Sequence, residues 1–220
     1  MPLSAAPASA RVVVEHPRID LRRTLEPLVH GRGDPTIRFA ADGIWRATRT
    51  PSGPATLRLV RLSEERVAVE AWGTGAEVAL GEVPALIGLT DDPAALVTHD
   101  RAIAMLAHRF PGIRLPRSGR VFEALLPAIL EQKVTGTEAR AAYRTLIHRY
   151  GERAPGPAPL WLAPAPSVLA GLPYHAFHPL GVERRRAETI RRAAVLADRI
   201  EAAAPAQAYR LLGAIPGIGS

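Results

Sequence analysis

Cysteine is absent from the 220-residue chain, which excludes disulfide staples and thiolate metal sites within it. Lysine occurs once, as Lys133, and every other basic residue except the histidines is arginine. No apolar run approaches the roughly 18 residues that a membrane span needs. The opening stretch MPLSAAPASARVVVEHP lacks a long apolar centre, so it does not read as a signal peptide, and a cytoplasmic location follows as the expectation. What is present is ordinary for a soluble globular protein: 47% hydrophobic and 22% charged residues, enough chain for one large domain or two modest ones. The formal net charge is +7 with a pI near 10.8. Such a balance suits a polyanionic partner, because arginine displaces counterions from phosphate. A GC-rich genome would produce the same arginine bias, so charge alone leaves nucleic acid one option among others.

The patterning changes along the chain and predicts an α+β protein. Residues 1–18 read as a disordered start and residues 19–90 as an N-terminal α+β domain built on an antiparallel sheet. Thr56–Leu62 and Arg66–Trp72 alternate apolar with polar residues, as half-buried strands do, with Ser63-Glu64-Glu65 as the loop between them. Asp42-Gly43 predicts a turn between Ile37-Arg38-Phe39 and Ile44-Trp45-Arg46, and Leu21 to Val29 reads as a helix. From residue 91 to 220 the spacing is helical throughout. Thr98 is the expected cap of a helix that turns Ile103, Leu106 and Phe110 inward. Phe122, Leu125, Leu126, Ile129 and Leu130 form the stripe of the next helix, with Pro127 inside it. Thr135-Gly-Thr-Glu138 is a capping box opening a helix that stops at Gly151, and a longer helix runs from about Glu183 to Ala203.

Two segments carry chemistry. The chain closes on Gly213-Ala214-Ile215-Pro216-Gly217-Ile218-Gly219-Ser220 after the apolar helix entering through Leu211 and Leu212. Proline fixes one dihedral, and the glycines permit positive φ and leave backbone N–H groups clear to meet a phosphate. This pattern is that of the first helix and hairpin of a helix-hairpin-helix DNA-binding element; taken alone, it equally suits a helix cap followed by a turn. The second segment is Phe122–Thr135, where Gln132 and Lys133 follow an apolar helix. The histidines fit no metal-ligand spacing, and the glycine elbow of serine hydrolases and the phosphate-binding P-loop are both missing.

Arg114-Leu115-Pro116, Phe122-Glu123, Ala128-Ile129-Leu130-x-Gln132-x-Val134, Tyr150-Gly151-Glu152 and Leu180-Gly181-Val182-x-x-Arg185-Arg186-Ala187-Glu188-x-Ile190 occur in that order, and the hairpin follows. From about Arg109 to its end the chain thereby resembles the 3-methyladenine DNA glycosylases of the helix-hairpin-helix superfamily. The resemblance implies an all-α glycosylase domain after the sheet domain, and an enzyme that flips a damaged base from duplex DNA and hydrolyses its N-glycosidic bond. It implies a monomer, associated with the nucleoid, whose partner is double-stranded DNA bearing an alkylated base. Gln132 and Lys133 would enter the minor groove, where the family often has an apolar wedge at the position of Lys133; a lysine there can instead pair with phosphate or with the orphaned base. Pro216, Gly217, Ile218, Gly219 and Ser220 would meet the DNA backbone. The carbonyls of Gly213, Ile215 and Ile218 would hold a monovalent cation.

The family's catalytic aspartate follows the second hairpin helix. Its expected place lies beyond Ser220, so no residue of the 220 is assigned the catalytic role. The helical domain is expected to be incomplete at the hairpin and the chain inactive as a glycosylase. Asp198 precedes the hairpin and reads as a solvated helix residue. The alternative reading is a non-catalytic DNA-binding or damage-sensing module that keeps the scaffold without the acid.

Overall fold

A computed structural model of the chain describes residues 9–16 and 18–219, which fall into two compact units. The first unit comprises Met1–Val29, Ile37–Ser118 and Ala154–Ala158; the second comprises His30–Thr36, Gly119–Arg153 and Pro159–Ser220. The division is not a single cut near residue 90. His30–Thr36 belongs with the helices: Pro35 O accepts from Trp161 N–H at 2.8 Å, Arg32 O accepts from Arg144 Nη1 at 3.0 Å, and the His30 ring meets Tyr143 edge-on at 5.1 Å.

The first unit is an antiparallel five-stranded sheet. Its strands are β1 (Ala10–Glu15), β2 (Ile37–Ala40), β3 (Gly43–Thr50), β4 (Gly53–Arg61) and β5 (Arg66–Trp72), in the spatial order β1-β5-β4-β3-β2. β1 corrects the expectation of a disordered start over residues 1–18. Its Val12 and Val14 face the core and Val12 pairs with Val69 of β5. Residues 1–8 and 17 of that expectation lie outside the described residues. The alternation anticipated in β4 and β5 is present: Leu57 and Leu59 register against Ala71 and Val69, and all four are buried. The β2–β3 turn uses Ala41-Asp42, with Ala40 paired to Gly43, which is one residue earlier than Asp42-Gly43.

Helices cover this sheet. α1 (Leu21–Leu25) is capped by Asp20, whose carboxylate accepts from Arg23 N–H at 3.0 Å and Arg23 Nη1 at 2.6 Å. Burial raises the Asp20 pKa, yet the two Arg23 bonds outweigh it and bring the carboxyl below its ordinary value. α2 (Ala76–Gly81) and α3 (Val83–Leu86) bury Ala76, Ala79, Val83 and Leu86 in the same core as Leu57 and Val69. α4 (Arg101–Arg109) is capped by Asp100 rather than Thr98; the Thr98 hydroxyl accepts from Asp100 N–H instead. Ile103 and Leu106 of α4 are exposed, against the expectation that they face inward. Periodicity shows which side of a helix would be buried by a neighbour; it does not supply the neighbour.

The second unit is helical. α5 (Val121–Leu130) carries Phe122, Leu126, Ile129 and Leu130 on its buried face and holds Pro127 in its interior. Arg120 at its N-cap makes no side-chain cap; the Glu201 carboxylate accepts from Val121 and Phe122 N–H at 3.0 and 2.8 Å. α6 (Gly136–Tyr150) starts at the capping box, with Thr135 and Glu138 in reciprocal bonds. A two-stranded ribbon of β6 (Glu152–Arg153) and β7 (Trp161–Leu162) leads to α7 (Pro166–Gly171) and α8 (Tyr174–Phe177). α9 (Arg184–Glu201) buries Ile190, Ala194, Ala197 and Ile200 on the anticipated face, and α10 (Pro205–Gly213) enters the closing hairpin. Among the described residues, no helix is long and apolar enough to cross a membrane.

Candidate nucleic-acid interface

The hairpin after α10 is built by local bonds and one anchor. Ala214 N–H reaches Arg210 O at 3.1 Å, Ile215 N–H reaches Leu212 O at 3.0 Å, and Ile218 N–H closes on Ile215 O at 3.1 Å. Ile215 is 2% exposed and packs into the core of α5, α6 and α9, whereas Pro216 and Gly219 are exposed. The tip demands glycine at Gly217, which has φ +102, and a Cβ there would lie 2.4 Å from Thr189 Oγ1. Gly219 also has positive φ, at +86. Ser220 lies outside the described residues.

Two side chains from separate elements hold adjacent hairpin carbonyls. Gln132 Nε2 donates to Gly217 O at 2.8 Å. Thr189 Oγ1, on α9 and 1% exposed, lies 3.0 Å from Pro216 O and 3.0 Å from Arg185 O, so its one proton serves two acceptors. Gln132 stands just past α5, where Glu131 N–H reaches Pro127 O and Gln132 N–H reaches Ile129 O. Lys133 follows with φ +55, the one non-glycine residue with positive φ among the described residues, and its side chain is exposed. A left-handed lysine costs about 1–3 kcal/mol relative to an ordinary conformation, and such positions cluster at functional sites. Gln132 and the hairpin residues Pro216 and Gly217 are thus brought together, with Lys133 beside them along the chain.

Arg186 locks the same region from behind. It is 5% exposed, and its guanidinium donates to Leu130 O at 2.8 Å, at the last residue of α5, and to Gly181 O at 3.1 Å. A cation at a helix C-terminus also opposes the negative end of the helix dipole. Glu183 Oε1 stands 3.8 Å from Arg186 Nε, with its side chain 59% exposed. The Glu138 carboxyl lies below its ordinary pKa, first through the Thr135 backbone N–H, then through the Thr135 hydroxyl.

Sequence reasoning assigned no role to Thr189 and none to the Arg186 guanidinium. The signal was present: both are polar residues on the inward stripe of α9, and buried polar atoms need partners. Asp198 is exposed on α9. No group of three or more potential metal-binding side chains exists among the described residues. The Ile215 carbonyl keeps a lone pair beyond its turn bond, and backbone oxygens such as those of Gly213, Ile215 and Ile218 are hard donors, a chemistry that fits an alkali cation.

No family model matches the chain, and no curated protein matches it. Solved structures do resemble it in fold. A 3-methyladenine DNA-glycosylase from Archaeoglobus fulgidus superposes with a TM-score of 0.75 at 20% identity, over 96% of this chain and 75% of that one. MBOgg1 in complex with a low-affinity DNA ligand gives 0.67 at 16% identity, over 100% and 76%. The Clostridium acetobutylicum 8-oxoguanine glycosylase/lyase, bound to double-stranded DNA with cytosine opposite 8-oxoG, gives 0.65 at 13%, over 99% and 75%. The fold of this chain is that of DNA glycosylases.

Proposed function

We propose that the chain is the DNA-binding body of a base-excision repair glycosylase acting on duplex DNA with alkylated, 3-methyladenine-like bases. The observation that carries this reading is the meeting of Gln132 with the Pro216-Gly217 hairpin, beside a left-handed, exposed Lys133. The glycosylase fold of the solved structures supports it.

In this reading the hairpin amides receive the DNA backbone, since N–H groups in a glycine turn form a concavity for a phosphate oxygen. Lys133, exposed and left-handed, is the residue offered to the gap that an extruded nucleotide leaves. Its ammonium pairs with a phosphate or with the base left unpaired, where an aliphatic wedge would only fill space. The carbonyls of Gly213, Ile215 and Ile218 would hold a monovalent cation, which would supply positive charge toward a bound phosphate. No carboxylate of residues 1–220 is assigned to support the sugar cation as the base departs. The protein acts as a monomer.

Fluorescence anisotropy with a duplex carrying an abasic-site analogue tests the binding, and base release from alkylated duplex DNA tests the chemistry. The reading expects binding that weakens with salt, through counterion release, and no release of bases by residues 1–220 alone. Failure to bind duplex DNA at low salt refutes it. Binding that does not distinguish the abasic-site duplex from an intact one favours a non-catalytic DNA-binding module instead.

A further inference from the structure

We propose that Gln132 and Thr189 are positioning residues of the hairpin: by drawing the carbonyls of Gly217 and Pro216 inward, they aim the Gly217 N–H outward as a phosphate donor. This inference rests on the DNA-binding reading, and it moves Gln132 out of the minor groove and into the support of the hairpin.

The argument begins with the peptide plane. No peptide bond among the described residues is cis, so each N–H points opposite to the C=O of the same plane. Pro216 O faces Thr189 Oγ1, which is 1% exposed on α9. The N–H sharing that plane belongs to Gly217, and it must point away from α9. Gly217 O is held by Gln132 Nε2, and the N–H in that second plane, from Ile218, turns back to Ile215 O. The two clamps thus divide the tip's donors. Ile218 N–H is consumed in the turn, and Gly217 N–H is left directed outward.

The remaining features serve the same end. A Cβ at Gly217 would lie 2.4 Å from Thr189 Oγ1, so the hydroxyl reaches Pro216 O only because residue 217 is glycine. Gln132 is half-buried, and its amide is committed to a backbone oxygen 85 residues away in sequence. A side chain spent in that way is unavailable to fill a base gap unless the hairpin is released. Lys133, exposed and next in the chain, is the residue free to do so.

The test uses Thr189→Val, which keeps shape and removes the hydroxyl, Thr189→Ser, which keeps the hydroxyl, and Gln132→Leu, all in the full 220-residue chain. Thermal unfolding runs beside each measurement. A soluble gadolinium chelate reads how far the Gly217 amide faces solvent, and duplex DNA affinity reads the consequence. The expected result is strong relaxation of the Gly217 amide in the wild type and in Thr189→Ser, with weaker relaxation in Thr189→Val and Gln132→Leu. DNA affinity is expected to fall about ten-fold in the latter two, the scale of one charge-assisted hydrogen bond. An unmoved Gly217 amide in both Thr189→Val and Gln132→Leu overturns the inference, as does Thr189→Ser behaving like Thr189→Val. Gln132→Leu that weakens only DNA with an abasic gap, without moving the amide, returns Gln132 to the groove. A wild-type chain that binds no DNA refutes the functional reading, while the amide measurement still decides the clamp.

Discussion

Replacing Arg186 by methionine tests whether the α5 C-terminus depends on a buried cation. The methionine fills much of the same volume but leaves Leu130 O and Gly181 O without their donors. These two losses are unequal. Gly181 is exposed, so its carbonyl regains water, whereas Leu130 is 0% exposed and its carbonyl stays buried. An orphaned buried acceptor costs about 1–3 kcal/mol. The Glu183 contact adds little, because at 3.8 Å with the carboxylate side largely in water it is screened. Against this stands the relief of no longer desolvating a guanidinium, several kcal/mol in principle, which is why buried ion pairs are weak stabilisers. The two guanidinium bonds, at roughly 1.5–3 kcal/mol each, offset that cost in the native protein. The net expectation is a loss of about 1–3 kcal/mol. For a unit of roughly 100 residues that lowers Tm by about 4–8 °C per kcal/mol. Urea unfolding should show a lower midpoint with unchanged slope, and hydrogen exchange should quicken over the last turn of α5. Arg186→Lys should fall between, since one ammonium cannot span both carbonyls in the planar arrangement of arginine. If Arg186→Met is as stable as the wild type, desolvation outweighs the carbonyl bonds and the reasoning fails.

Three further expectations follow from single residues. Lys133→Gly removes the left-handed strain at φ +55 at the cost of a freer unfolded chain, so stability should change by no more than about 1 kcal/mol while DNA binding weakens; a large destabilisation in denaturant titration would show that Lys133 is structural. Gly217→Ala meets both an unfavourable φ and the Thr189 hydroxyl, so it should cost about 1–3 kcal/mol and reduce DNA affinity, and an alanine variant with wild-type Tm would contradict this. Glu138 titrates below its ordinary value in the folded chain, so its support of the α6 N-terminus is complete above the unfolded pKa and is lost as pH falls through the lower folded one; Glu138→Gln should flatten that acid dependence, and a carboxyl that NMR finds titrating like a free glutamate would refute it.

Much of the secondary structure was legible because it is written locally. The alternation in Thr56–Leu62 and Arg66–Trp72 matches a period of two whatever surrounds it, and the Thr135–Glu138 box closes between neighbours three residues apart. The glycine turn after α10 was legible for the same reason, since Pro216, Gly217 and Gly219 restrict or free their own dihedrals. α4 marks where local reading stops: its amphipathic spacing is real, and its apolar side is exposed because burial requires a second surface that no periodicity encodes. β1 escaped notice because a short edge strand is defined by the Val12–Val69 pairing more than by its own residues.

The sequence by itself therefore determined the α+β class, the run of strands and then helices, and the glycine turn at the chain's close, since each depends on residues within a few positions of one another. Only the tertiary structure decided the division of the chain into its two units and how the candidate site is held. Glu201 caps α5 from 79 and 80 residues away, Arg186 reaches Leu130 across 56, and Gln132 finds Gly217 across 85. Hydrogen bonds are satisfied wherever the folded chain brings a donor to an acceptor, so partners that far apart exist only once the core of α5, α6 and α9 has placed them in reach.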